Sequence, residues 1–140
     1  MSEPKQDTPP RPVPTPSPVS QPFWDAANEG RLVLQFDPET GKPQFWPRPV
    51  TIQSGRGDPE WREVSGKGRL HGWTRVHIPA RGFQELAPYV LASVELDEGA
   101  RIVGRLVNAD AVELTAGMKL RVAWERLSDD INFFVFEPDL

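Results

Sequence analysis

The chain has 140 residues, a formal net charge of −4, sixteen prolines, eleven glycines, five tryptophans and no cysteine. No apolar run approaches the roughly 18 residues of a membrane helix, and no charged-then-apolar start marks a secretory leader. Without cysteine there is no disulfide framework, thiolate nucleophile or cysteine-held metal, and the two histidines, His71 and His77, are too few for a histidine cage.

These exclusions leave a cytoplasmic protein of one small domain as the expectation. Residues 1–22 hold eight of the sixteen prolines. Each proline lacks an N–H and fixes its own φ, so this stretch is expected to be a disordered, Pro-rich arm. It could serve as a linker, a tether or a ligand for a proline-reading domain.

A short helix is expected next, over Gln21 to Gly30, with Ser20 as N-cap, Pro22 near the first turn and Gly30 as the stop. Phe23, Ala26 and Ala27 share one face, and a helix this short needs tertiary docking. From Arg31 the pattern turns to strand, with Leu32 and Leu34 alternating with Val33 and Gln35. A turn-rich stretch from Asp37 to Pro59 follows, in which Gln44-Phe45-Trp46 is the one strand-like piece. A loop so long needs something to organise it.

The remainder reads as all-β. Gly66–Ile78 alternates, placing Leu70, Gly72, Thr74, Val76 and Ile78 on one face and Arg69, His71, Trp73, Arg75 and His77 on the other. Three more strands are expected over Tyr89–Leu96, Ala100–Val107 and Met118–Leu127, and a fifth over Ile131–Phe136. Gly104 breaks the third strand, as at a bulge or a barrel corner. Five strands with these turns fit a small closed barrel.

Charge is unevenly spread. Residues 23–41 carry −3, residues 42–81 carry +5 and residues 82–140 carry −6. A basic middle between acidic flanks suits an anion, and equally suits pairing between segments across a sheet. The cation-and-aromatic face of Gly66–Ile78 could hold phosphates and stack a base; a solvated outer face of an antiparallel sheet has the same pattern. Arg56-Gly57-Asp58 reads as a turn. Gly66-Lys67-Gly68 lacks the spacing and the following helix of a phosphate loop. No nucleophile–histidine–acid arrangement stands out.

Several pieces recur in a familiar order: Phe23-Trp24 with Gly30-Arg31-Leu32; Pro47-Arg48-Pro49; Trp61 with Val64 to Leu70 and Trp73-Thr74; Pro88-Tyr89-Val90; Val94 to Arg101; and Leu114 with Gly117 and Val122. Together they resemble the acyl-CoA-associated family known as domain-of-unknown-function family thirty-five. The resemblance implies a mainly β fold: N-terminal helix and rubredoxin-like zinc ribbon over 23–65, then a five-stranded OB-fold barrel over 66–137. Members usually place C-x2-C on each side of a Pro-Pro-Arg segment. Aligned on Gly41 and Arg48, those four positions hold Asp37, Thr40, Thr51 and Ser54. Such residues do not make the thiolate site structural zinc prefers, so a degenerate ribbon without zinc, and a more mobile loop, are expected.

The family resemblance further implies a non-catalytic accessory subunit that binds or channels a coenzyme A thioester for a thiolase-like enzyme or a hotdog-fold hydratase. With the basic middle, it makes Arg48, Arg69, Trp73, Arg75, His77 and Arg81 the candidate ligand-side residues, though it assigns none of them individually. The alternative is an OB-fold that binds single-stranded nucleic acid, against which an acidic pI of about 5.2 argues.

Overall fold

The structure, a computed structural model, describes residues 10–140. Helix α1 spans Gln21–Asn28 and buries Phe23, Trp24, Ala26 and Ala27. Pro22 sits in its first turn, where a missing N–H costs nothing. Ser20 precedes the helix but does not cap it through its side chain. Its Oγ instead accepts the Ser17 N–H at 2.9 Å, and Ser17 Oγ accepts the Ser20 N–H at 3.2 Å. The helix end is tied down by Asn132, whose buried Nδ2 donates to the Ala27 carbonyl at 2.8 Å.

A three-stranded sheet follows, ordered β2-β1-β3 from β1 (Val33–Phe36), β2 (Pro43–Gln44) and β3 (Glu60–Glu63). All four residues of β1 are buried, as befits a central strand with α1 packed nearby. Strand β3 is absent from the sequence reading. It lies at the sheet edge with three of its four residues exposed, so no apolar alternation marks it.

The second half forms a closed barrel, β4-β5-β6-β8-β7, from β4 (Lys67–Val76), β5 (Tyr89–Leu96), β6 (Arg101–Leu106), β7 (Lys119–Arg126) and β8 (Asn132–Pro138). All pairings are antiparallel except β6 with β8, and β7 closes on β4 through Lys67, Gly68 and Arg69. This is the OB-fold expected from the sequence. Gly104 is not a bulge, since the β5–β6 register runs through it unbroken. It makes room instead: a Cβ there would stand 3.0 Å from the Phe136 ring and 3.2 Å from the Phe134 ring.

Aromatic rings join the two halves into one core. Phe23 meets Phe134 edge-on at 6.1 Å and Phe45 at a tilt at 5.8 Å, and Phe133 stacks on Phe134 at 4.7 Å. Such rings bury large apolar areas and prefer these offset and T-shaped geometries. The expected disordered arm divides. Residues 1–9 lie outside the described residues, whereas residues 10–14 lie against the barrel, where Arg11 forms an ion pair with Glu125 and its guanidinium sits 5.7 Å from the centre of the Phe83 ring. Proline content removes helix and ladder, but one arginine with a carboxylate and an aromatic partner is enough to hold such a segment in place. Among the described residues no helix is long and apolar enough to cross a membrane.

Candidate functional site

Strand β4 does not present one continuous cationic face. Its register against β5 shifts between Leu70 and Gly72, which leaves His71 as the extra residue of a bulge. A bulge reverses the inside–outside order beyond it. Before it, Arg69 pairs with exposed Glu95. After it, Trp73 pairs with Ala92 and Arg75 with Val90, both buried. Directly opposed residues share a face, so Arg69 projects from one side of the wall, and Trp73 and Arg75 from the other. The expectation that Arg69, His71, Trp73, Arg75 and His77 project together is therefore corrected.

Two recesses result. Arg75 lines a cleft of about 460 Å³ with Leu86, Tyr89, Arg105, Asn108 and Val112. Among the described residues Arg75 makes no ion pair, so its charge is free for an anion. Arg105 is already paired with Glu125. Asn108 donates to Glu137 at 2.7 Å, and Arg121 Nε donates to the same carboxylate at 2.9 Å. These bonds, the Asn108 bond foremost, hold Glu137 below the usual carboxylate range. The second recess, about 240 Å³, holds Lys67, Arg69, Asp97, Lys119 and Asp139; there Arg69 donates to the Gly117 carbonyl at 3.0 Å. His77 and Arg81 stand exposed on the β4–β5 loop, and Trp73 is 44 % exposed. Arg48 lies in the ribbon with its side chain exposed. Thus the six candidates are spread over the ribbon, a loop and two faces. The cleft partners Tyr89, Arg105 and Asn108 were not among them, because they meet Arg75 only once β5 and β6 pair in register beside β4.

The long ribbon loop is organised by two buried glutamines. Gln35 Oε1 accepts the Arg48 N–H at 2.7 Å, and Gln35 Nε2 donates to the Arg48 carbonyl at 2.9 Å. Gln44 donates to Gln35 at 2.8 Å and accepts the Ile52 N–H at 2.9 Å. Two turns then repeat one backbone pattern. Gly41 N–H donates to the Asp37 carbonyl and Gly55 N–H to the Thr51 carbonyl, while Asp37 and Thr51 N–H donate to Lys42 and Arg56. Gly41 and Gly55 have φ of 71° and 70°, a left-handed conformation that glycine adopts without penalty.

The four positions aligned with the family's cysteines, Asp37, Thr40, Thr51 and Ser54, line this pair of turns. Asp37 is 2 % exposed and Thr51 1 %. The Thr51 and Ser54 hydroxyls are hydrogen-bonded to each other, and Asp37 Oδ1 accepts the Glu39 N–H at 2.8 Å. Asp37 Oδ2 is buried, and the hydroxyls approach it without completing a hydrogen bond of full geometry. Burial pushes the Asp37 carboxyl up, but the Glu39 and Thr40 N–H groups and the Ser54 and Thr51 hydroxyls outweigh it and hold it below the usual range. A set of one carboxylate and three hydroxyls does not fit structural zinc, which takes thiolate and imidazole ligands.

Residues 61–125 match the family described as ChsH2, C-terminal OB-fold domain. The chain is 30 % identical over 107 residues to a DUF35 domain-containing scaffold protein of Pyrococcus furiosus, covering 76 % of this chain and 79 % of that one. It is 36 % identical over 88 residues to a protein of the same description from Methanocaldococcus jannaschii, covering 61 % and 62 %. It is 32 % identical over 117 residues to a probable enoyl-CoA hydratase alpha subunit of Thermomonospora curvata, covering 83 % of this chain but 36 % of that one. The chain thus spans less than two thirds of some of its relatives. Among solved structures, one described as Ltp2-ChsH2(DUF35) aldolase superposes with a TM-score of 0.80 at 28 % identity, over 91 % of this chain and all of the other.

Proposed function

Since the chain belongs to the DUF35 family of scaffold proteins, we propose that it is a non-catalytic accessory subunit of a thiolase-like enzyme, to which it brings a coenzyme A thioester. The observation that carries this reading is the likeness, over nearly the whole chain, to the DUF35 chain of an aldolase assembly. The hydratase-subunit relative supports an acyl-CoA enzyme as the setting.

Within this reading the Arg75 cleft is the ligand site. An unpaired guanidinium at the rim supplies a charge-assisted bond to a phosphate, and Trp73, on the same face of β4 and half exposed, offers a ring for adenine to stack on. Arg48, Arg69 and Arg81 are then peripheral cations that raise the local anion concentration, and His77 is an exposed hydrogen-bonding side chain on the β4–β5 loop. The ribbon is metal-free, its two turns held by glutamines and hydroxyls.

The test is reconstitution. Purified chain and a thiolase-fold aldolase or acetyltransferase from the same host should co-elute in size exclusion, and the chain should bind coenzyme A saturably in calorimetry. A partner whose activity and elution are unchanged by the chain would remove the accessory role. Absence of coenzyme A binding both free and in the complex would remove the ligand role.

A further inference from the structure

Residues 10–14 lie beside the two loops that border the ligand face of an OB-fold. That ligand face is made by the second and third barrel strands and by the loops joining strands one to two and four to five. Here those loops are residues 77–88, between β4 and β5, and 127–131, between β7 and β8. The segment touches the first and faces the second across an open space. A Cβ on Gly82 would stand 2.8 Å from the Pro10 carbonyl oxygen and 2.8 Å from Pro12 Cδ, so the first loop carries a glycine where the segment needs the space. Gly82 also has φ of 92°, which adds strain to any side chain there. Arg11 lies 5.7 Å from the centre of the Phe83 ring and is bonded to Glu125, which in turn is bonded to Arg105 of β6. Pro12, Val13 and Pro14 face Leu127 of the second loop and Phe133 of β8 across an apolar space of about 260 Å³.

The chemistry of this trench is that of a peptide site. Aromatic-lined grooves accept proline-containing segments because prolines arrive with φ already fixed and little entropy to lose. Phe83, Phe133 and Leu127 supply the apolar walls. Glu125, with 28 % of its side chain exposed, offers Oε1 to one incoming cation while Arg105 holds Oε2. A polyanion such as single-stranded nucleic acid would meet that carboxylate with like charge.

We propose that the trench between the β4–β5 and β7–β8 loops is a docking surface for a proline-containing segment bearing an arginine, and that Pro10–Pro14 is its resident occupant. A segment of the same kind on a partner competes with the arm for this trench. The arm's advantage is its tether, since a short linker gives an effective concentration in the millimolar range.

The full-length chain tests this with a fluorescent peptide of residues 10–17 as probe. Arg11→Glu in the chain sets like charges against Glu125 and vacates the trench. Anisotropy should then show saturable peptide binding at least about tenfold tighter than to the wild-type chain, whose arm competes in cis. Binding should vanish when the peptide's arginine is glutamate, or when Glu125→Ala is added to the chain. Equal binding to both chains, none to Arg11→Glu, or binding of an oligo(dT) probe in place of the peptide overturns the proposal. Should Arg11→Glu fail to fold, Arg11→Gln takes its place. Independently, wild-type NMR should show a cross-relaxation peak between Pro12 Hδ and Gly82 Hα, and its absence also overturns the proposal.

Discussion

Arg69 and Arg75 lie on the same strand and project from opposite faces of the barrel wall: Arg69 stands opposite Glu95, and Arg75 opposite Val90. A single phosphate group cannot bridge them. If the Arg75 cleft holds coenzyme A, Arg75→Ala removes a charge-assisted bond, a class worth roughly 1.5–3 kcal/mol, or about tenfold to a hundredfold in affinity. Arg69→Ala should leave affinity within about twofold, its cation acting only at a distance. Calorimetry with both variants decides, and an equal loss in the two would move the ligand out of the cleft.

How much of this was legible in the sequence depends on what each feature leaves behind. Alternation over Tyr89–Leu96 and Met118–Leu127 is a direct image of one face in the core, and the barrel follows from it. The repeated spacing of Asp37 and Thr40, Thr51 and Ser54, each pair followed by glycine, disclosed the two turns. The bulge at His71 leaves no compositional mark, because one extra residue reverses everything after it without altering the pattern before it. The contacts of residues 10–14 leave no mark for the opposite reason. The proline content there is conspicuous, while what fixes the segment is a single arginine whose partner, Glu125, is remote in sequence.

Two glycines in the barrel fill different needs, which substitution should separate. A Cβ on Gly68 would lie 2.5 Å from the Glu95 carbonyl oxygen, backbone of the neighbouring strand. A Cβ on Gly104 would meet the ring edges of Phe136 and Phe134 at 3.0 and 3.2 Å. Rings can tilt by a few tenths of an ångström and a ladder cannot. Gly68→Ala should therefore destabilise by roughly 2–3 kcal/mol, within the overpacking range. Gly104→Ala should stay within about 1 kcal/mol, helped by alanine's smaller conformational entropy loss. Urea unfolding of both measures the order, and a less stable Gly104→Ala would contradict it.

The paired ribbon turns make a further prediction. Their backbone pattern repeats, and each keeps its left-handed glycine at Gly41 and Gly55. Converting Asp37, Thr40, Thr51 and Ser54 together to cysteine should let the chain take up one zinc per molecule, since four thiolates make the closed tetrahedral site. Plasma emission after dialysis should read about one equivalent in that variant and a small fraction of it in wild type. Stoichiometric zinc in wild-type protein would refute the metal-free ribbon. A four-cysteine variant that folds yet takes up no zinc would show that the turns are not arranged as a thiolate site.

Glu125 gives the arm a pH dependence with a defined sign. Burial pushes its carboxyl up, but hydrogen bonds from Arg11 and then Arg105 outweigh that and hold it below the ordinary range. Both facing groups are guanidinium cations, which keep their charge across the titration. The folded state therefore favours ionised Glu125 more than the unfolded state does. The resulting stability is complete above the unfolded value, about 4.3 for glutamate, and is lost as pH falls through the lower folded value. Glu125→Gln should cost about 1–2 kcal/mol at pH 7, a modest figure because the pair is partly exposed and screened. The gap between variant and wild type should close as pH falls from about 4 toward 2. Urea midpoints across that range make the comparison. A gap that stays constant with pH would mean that the Glu125 carboxylate does not contribute through its charge.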